Sequence, residues 1–323
     1  MSSRSAARSA ALPCFLMILV VLLWSSAGVV GKHIGTSLPA LQVAEWRTIF
    51  GIQSLLPFLW LEKRHASSSP AGWELRRLLP LWMVGLAGYG LMQWLFFLSA
   101  QRTYASHLIL IMALTPICTK LLRRLLFRED ISGMFWSGAA VALAGSALIL
   151  WPSSSGDASI WVGDLLALGA MISFSLYTEG MAHYARGYSL TAANVHVLTA
   201  GLLFLYVAGG VSGGSASASL FSLEAWTIML PSTHIIGWLA FLGIGCTAFA
   251  YWGYGWAIRR LSASVALPFL YLQPLFGVAL SAVWLGEALT LRFAMGSVLI
   301  LLGLRVSQLR PTRRQHSQLP SQL

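Results

Sequence analysis

Charge is scarce in this chain, and negative charge is the scarcest. Of 323 residues only 10% are charged, and Asp and Glu together number ten. A soluble domain carries about a quarter charged residues, so an ordinary water-soluble globule is excluded. The three aspartates, Asp130, Asp157 and Asp164, all fall at the ends of apolar runs or in loops. A clustered-acid catalytic centre therefore lacks its material. Cysteine is equally sparse: Cys14, Cys118 and Cys246 each lie inside an apolar run, which excludes a disulfide framework and a cysteine-rich metal site. Phosphate-binding and nucleophile-elbow motifs are missing too, and nothing in the sequence calls for a cofactor.

What the chain has in abundance is apolar length. Hydrophobic residues make up 57% and the mean hydropathy is +0.72, which is far from the composition of a disordered chain. A helix needs about 20 mostly apolar residues to cross a bilayer. Ten stretches qualify, at 12–31, 38–61, 78–100, 104–127, 132–151, 161–183, 190–211, 235–258, 262–285 and 292–309. The fold class expected is an all-α integral membrane protein. The longest polar connections, 62–77 and 212–234, leave no room for a separate soluble core. Arg4 and Arg8 precede the first run as in a signal peptide, but that run is too long and lacks a small-residue cleavage site. It is predicted to remain as a helix.

The net charge of +11 resides in short clusters between the apolar runs, not in a basic domain of the kind that binds nucleic acid. With the N-terminus inside and the runs alternating, inside segments hold seventeen of the 21 Lys and Arg. Lys32, Arg102 and Arg292 lie outside, and Arg47 lies within a span. Cytoplasmic loops collect such charge, so both termini are expected in the cytoplasm, which requires an even number of spans. Lys120, Arg123, Arg124, Arg128 and the pair Arg259-Arg260 then meet anionic headgroups of the lipid bilayer. Residues 1–10 and 311–323 are polar and expected to be disordered. In loop 212–234 the residues Phe221, Leu223, Trp226 and Met229 suggest an interfacial amphipathic piece.

Sliding the chain by 158 residues aligns Gly85 with Gly243, Trp94 with Trp252, Arg102 with Arg260, Ala105-Ser106 with Ala263-Ser264, Pro116 with Pro274, Glu129 with Glu287, Gly138 with Gly296 and Gly145 with Gly303. At an offset of 150, Trp24-Ser25 aligns with Phe174-Ser175. The chain thus reads as two five-helix repeats, 1–151 and 152–310, with a polar tail 311–323. Five is odd, so the second repeat enters from the opposite side, and inverted repeats of this kind build alternating-access carriers.

The residues carrying the repeat also carry a resemblance. Arg102-Thr-Tyr-Ala-Ser106, Thr115-Pro116 and Arg128-Glu129-Asp130 in the first half resemble an EamA-type unit, as do Thr247-Ala-Phe-Ala-Tyr251-Trp252, Leu272-Gln-Pro274 and Leu285-Gly-Glu287 in the second. The whole chain is similar to the EamA branch of the drug/metabolite transporter superfamily. That resemblance implies a ten-helix carrier of the inner or plasma membrane with a central cavity. It also implies small metabolites such as amino acids, nucleosides or toxic organic compounds as cargo.

Polar groups at membrane depth are the candidate site. Glu45 and Glu179 are the carboxylates well inside spans, where an ionised group faces a cavity or a partner. Either would take up a proton as a cavity closes and release it when wetted. The competing reading is a structural ion pair or, for Glu179, a helix end. Arg47 stands two positions from Glu45, on a different helix face. Tyr89 and Gln93 are four apart, Tyr251 and Tyr254 three apart, and with Trp24, Tyr177, Tyr271 and Gln273 they suit an aromatic wall with polar tips for a small-molecule substrate. Packing and interfacial anchoring compete with that role. Pro116 and Pro274, mid-span, are hinge candidates. The glycines at 85, 88, 90, 138, 145, 243, 245, 296 and 303 suit close helix approach. His107, His183 and His196 show no metal-ligand spacing, so no metal is expected. Glu129 and Glu287, flanked by Arg128 and Arg292, read as helix-end or loop salt bridges.

The function expected is secondary transport of a small organic solute. The rival readings are a flippase of lipid-linked cargo and, further off, an intramembrane enzyme. Nothing in the sequence sets an oligomeric state.

Overall fold

The computed structural model describes residues 3–65, 75–150, 158–185, 187–211, 233–258, 260–261, 269–270 and 272–307. Among these, every regular element is helical. In chain order they are α1 (Ser3–Ile34), α2 (Ala40–His65), α3 (Leu75–Met83), a π-helical turn at Val84–Gly90, α4 (Leu91–Ala100), α5 (Ala105–Met112), α6 (Thr115–Phe127), α7 (Gly133–Leu150), α8 (Ala158–Tyr184) and α9 (Leu190–Val211). After these come α10 (Thr233–Ala240), a second π-helical turn at Phe241–Phe249, α11 (Ala250–Ile258), α12 (Leu272–Leu285) and α13 (Leu291–Ser307).

Six of the described stretches are long and apolar enough to cross a membrane: Leu12–Ile34, Leu78–Ala100, Ala105–Phe127, Ala158–Tyr184, Leu190–Val211 and His234–Ala257. Gly133–Ile149 and Leu272–Leu285 are apolar but shorter. The other two stretches expected to span are helical but differ in kind. Helix α2 carries Glu45 and Arg47 near its start and Glu62, Lys63 and Arg64 near its end, and α13 has only 17 residues, with Arg292 and Arg305 towards its ends. Large apolar side chains, among them Leu12, Leu79, Leu165, Val207, Val283 and Leu302, cover the outside. Lipid tolerates such a surface and water does not.

Three features depart from the sequence expectation. Helix α1 starts at Ser3, so residues 3–10 are helical; the alanines of Ser-Ala-Ala-Arg-Ser-Ala-Ala are strong helix formers. The apolar run 104–127 is not one helix, because a turn at Ala113–Leu114 separates α5 from α6. Pro116 then stands in the first turn of α6, and Pro274 in the first turn of α12, where a missing N–H costs no helical bond. Loop residues 212–232, Tyr271 and the tail 311–323 lie outside the described residues.

The two π-helical turns occupy equivalent places. Val84–Gly90 shifted by 158 residues falls inside Phe241–Phe249. A π turn holds an extra residue, widens the helix and rotates the helical segment beyond it, and such turns concentrate at functional sites. Glycines let each one press into a neighbour. A Cβ on Gly88 would lie 2.8 Å from the Tyr177 backbone, one on Gly90 2.8 Å from the carbonyl of Gly201, and one on Gly243 2.7 Å from that of Arg47. The first π turn thus packs on α8 and α9, and the second on α2. Helices α7 and α13 approach most closely of all, through Gly138 and Gly145 on one and Gly296 and Gly303 on the other. A Cβ on Gly145 would meet the Gly296 carbonyl at 2.6 Å. These glycines serve packing, as their spacing suggested.

Candidate transport site

Between the π turns and α2 lies a chain of polar side chains surrounded by apolar packing. Arg47 is 5% exposed. Its Nε donates to Thr247 Oγ1 at 2.8 Å and its Nη1 to Gln93 Oε1 at 3.3 Å. Gln93 Nε2 donates to Tyr89 Oη at 2.8 Å, and Tyr89 Oη lies 3.4 Å from Thr48 Oγ1. The Thr48 hydroxyl proton is committed to the Ala44 carbonyl at 2.7 Å, so Tyr89 is the donor in that contact. The run is therefore directional, from guanidinium to amide to phenol to hydroxyl to backbone. Among the described residues no carboxylate lies within 4.0 Å of Arg47. Its charge is met by neutral dipoles and by the Phe97 ring, 5.6 Å away.

Aromatic rings extend the cluster. Tyr177 stands 6.3 Å from Tyr89 and 5.9 Å from Tyr251, centroid to centroid, and its hydroxyl donates to Asn194 Oδ1 at 3.2 Å. Trp24 lies 5.6 Å from Tyr251 and 5.2 Å from Tyr254, and donates from Nε1 to the Cys246 carbonyl at 3.2 Å. Ser25 Oγ donates to the main-chain carbonyl of Gln273 at 2.9 Å.

Of the candidate residues, the structure thus joins Trp24, Arg47, Tyr89, Gln93, Tyr177, Tyr251 and Tyr254. Gln273 is joined through its backbone. Glu45 is 1% exposed, and its Oε1 has no hydrogen-bond partner. Glu179 stands apart, 3.8 Å from Arg123 at the end of the molecule where α6 finishes. Thr247, Thr48 and Asn194 belong to the cluster but escape a reading that looks only for charge and aromatic rings. For Thr247 the 158-residue slide was the available signal, since it superposes Tyr89 on Thr247.

A second polar cluster stands at the end where α1 finishes. The Glu287 carboxylate, between α12 and α13, accepts from the backbone N–H of Ala105 at 2.7 Å and of Ser106 at 3.0 Å. It also accepts from Ser106 Oγ at 2.7 Å and Lys32 Nζ at 3.1 Å. Lys32 also donates to the Thr103 carbonyl at 2.7 Å. Burial alone would push the Glu287 carboxyl up, but the Ser106 hydroxyl, the two backbone N–H groups and the Lys32 ammonium together hold it below the ordinary carboxylate range. Beside it, buried Asp164 accepts from Thr103 Oγ1 at 2.6 Å and faces His107 Nδ1 at 3.3 Å. Glu287 thus makes a salt bridge as expected, but with Lys32 instead of the flanking Arg292. Glu129 likewise pairs with Arg123 at 2.6 Å instead of Arg128. Among the described residues no three His, Cys, Asp or Glu side chains stand close enough to share a metal ion.

The EamA-like transporter family profile matches residues 11–151 and again 161–308. The chain belongs to the EamA-like transporter family. It is accordingly an integral membrane protein of a transporter family. The uncharacterized transporter YwfM of Bacillus subtilis is 24% identical over 94% of this chain and 95% of its own length, and YdfC of the same organism is 24% identical over 83% and 81%. A probable terminal-alkyne amino-acid exporter of Streptantibioticus cattleyicolor is 25% identical over 55% of each chain. A solved crystal structure, 19% identical, superposes with a TM-score of 0.61 over 92% of this chain and 96% of its own, a likeness of fold. Arg47 falls in the first EamA match and Thr247 in the second, so the central cluster is built from both.

Proposed function

We propose that this EamA-family protein is a secondary transporter of small organic metabolites, amino acids or related compounds, working by alternating access. In this reading the chain crosses the bilayer ten times as two inverted five-helix halves, 1–151 and 152–310, in the cell membrane with both termini cytoplasmic. The halves rock about a path lined by Trp24, Arg47, Tyr89, Gln93, Tyr177, Tyr251 and Tyr254. The observation that carries the reading is the bond from Arg47 of the first match to Thr247 of the second. A buried guanidinium held by neutral groups between two repeats is poised to meet a solute. The Streptantibioticus relative supports an amino acid as cargo. Glu45, buried with one oxygen unpartnered, is the group suited to carry a coupled proton. No bond is made or broken in the cargo, so no catalytic residue is invoked.

Reconstituted proteoliposomes loaded with a mixture of labelled amino acids test the proposal. Efflux should depend on the protein, and alanine at Arg47, Gln93 or Tyr251 should reduce it at least tenfold. Glu45→Gln should leave exchange intact while removing its response to a proton gradient. Full efflux in most of the alanine variants would show that the cluster is packing only, and movement of labelled lipid in place of amino acids would assign the fold to a flippase.

A further inference from the structure

We infer that Glu287 is the positioning residue that holds the path shut at the end where α1 finishes. This rests on the transporter reading above. Glu287 belongs to the second EamA match, whereas Lys32, Ala105 and Ser106 all belong to the first. Four donors from one half converge on a single carboxylate of the other, at 2.7–3.1 Å. A carboxylate offers about four lone-pair sites, so Glu287 is saturated. The acceptor is one rigid group, so moving the halves apart at this end breaks the four bonds together instead of one by one. The neighbouring contact has the same polarity, with Asp164 of the second half accepting from Thr103 and facing His107 of the first.

The opposite end is held differently. Glu129, which the 158-residue slide superposes on Glu287, has a side chain 44% exposed and bonds Arg123 of its own half. Among the described residues, contacts between the halves there include Thr191 Oγ1 donating to Glu62 Oε1 at 2.6 Å, Arg123 against Glu179 at 3.8 Å and the Phe127 ring 5.7 Å from that of His183. The second Glu62 oxygen has no partner. Among the described residues the two counterpart carboxylates are thus unequal, with Glu287 saturated by donors of the other half and Glu129 bonded within its own. The described arrangement is the state closed at the Lys32 end.

Thiol labelling of the full-length protein in liposomes of known sidedness tests this without a known cargo. In a background where Cys14, Cys118 and Cys246 are serine, Gln273→Cys is the reporter and a membrane-impermeant maleimide is added on the Lys32 side. Glu287→Gln should raise the labelling rate from that side at least tenfold. Lys32→Met and Ser106→Ala, each removing one of the donors, should raise it about threefold, and Glu129→Gln should leave it unchanged. An unchanged rate in Glu287→Gln, or an equal rise from both sides, would overturn the assignment. If Glu287→Gln does not accumulate as a monodisperse protein, the Ser106→Ala and Lys32→Met rates decide alone. Labelling that responds while no amino acid moves would keep the latch and reject the cargo, and transport with unresponsive labelling would do the reverse.

Discussion

Arg128 ends α6 with φ 54°, and Gly286, its counterpart at an offset of 158, comes directly after α12 with φ 66°. An L side chain enters that left-handed region at a cost of about 1–2 kcal/mol, which glycine avoids. Arg128→Gly should therefore stabilise the protein by up to about 1 kcal/mol, after the entropy that glycine adds to the unfolded chain. The midpoint of thermal unfolding in detergent reads the change, and a lower midpoint contradicts it. The residue next to Gly286 has a pH signature. The folded pKa of Glu287 is depressed, so its stabilisation is present above the unfolded carboxylate value of about 4.3 and is lost as pH falls through the folded value. Wild-type unfolding midpoints should fall more steeply than those of Glu287→Gln as pH drops below about 4; parallel curves would show that the carboxylate adds nothing. At this scale the sequence made the residue types legible but not their partners. Glu287 bonds Lys32, 255 positions away, because the halves meet there, and no local spacing encodes that contact.

Among the elements, the glycine-paired helices and the π turns are the informative ones. Helix α7 is apolar apart from Ser137 and Ser146, and its pairing with α13 relies on the fit of Gly145 against the Gly296 carbonyl, where an added Cβ would come within 2.6 Å. Gly145→Leu should overpack the contact and destabilise by at least about 1–3 kcal/mol, whereas a leucine at Gly133, which faces open space, should have little effect. Comparing the two unfolding midpoints checks this. The glycine spacing was readable in advance because it repeats in both halves. The π turns were not, since one extra residue in a helical turn leaves no mark on an apolar run. The break at Ala113–Leu114 was hidden for a similar reason, and the proline after it looked like a mid-helix hinge.

For the whole molecule, the apolar runs and the 158-residue repeat made the helical class and the family legible. Helix α2 is less apolar than the other long helices because it carries Glu45 and Arg47 near its start, and of these Arg47 bonds into the central cluster. The proposed inversion predicts opposite sidedness for residues 62–77 and 152–160. Epitope tags in those two loops should be reached from opposite faces of the membrane, and access from one face would refute the inversion.

The tight seam between α7 and α13 limits how any movement is shared out. Where two main chains touch through hydrogen atoms alone, one rod cannot slip along the other without each turn climbing over the next. One member of this pair comes from each EamA match, so the two copies are fastened along that line. In the proposed rocking, one copy would therefore swing about this seam as about a fulcrum, with its amplitude growing towards the far side of the protein.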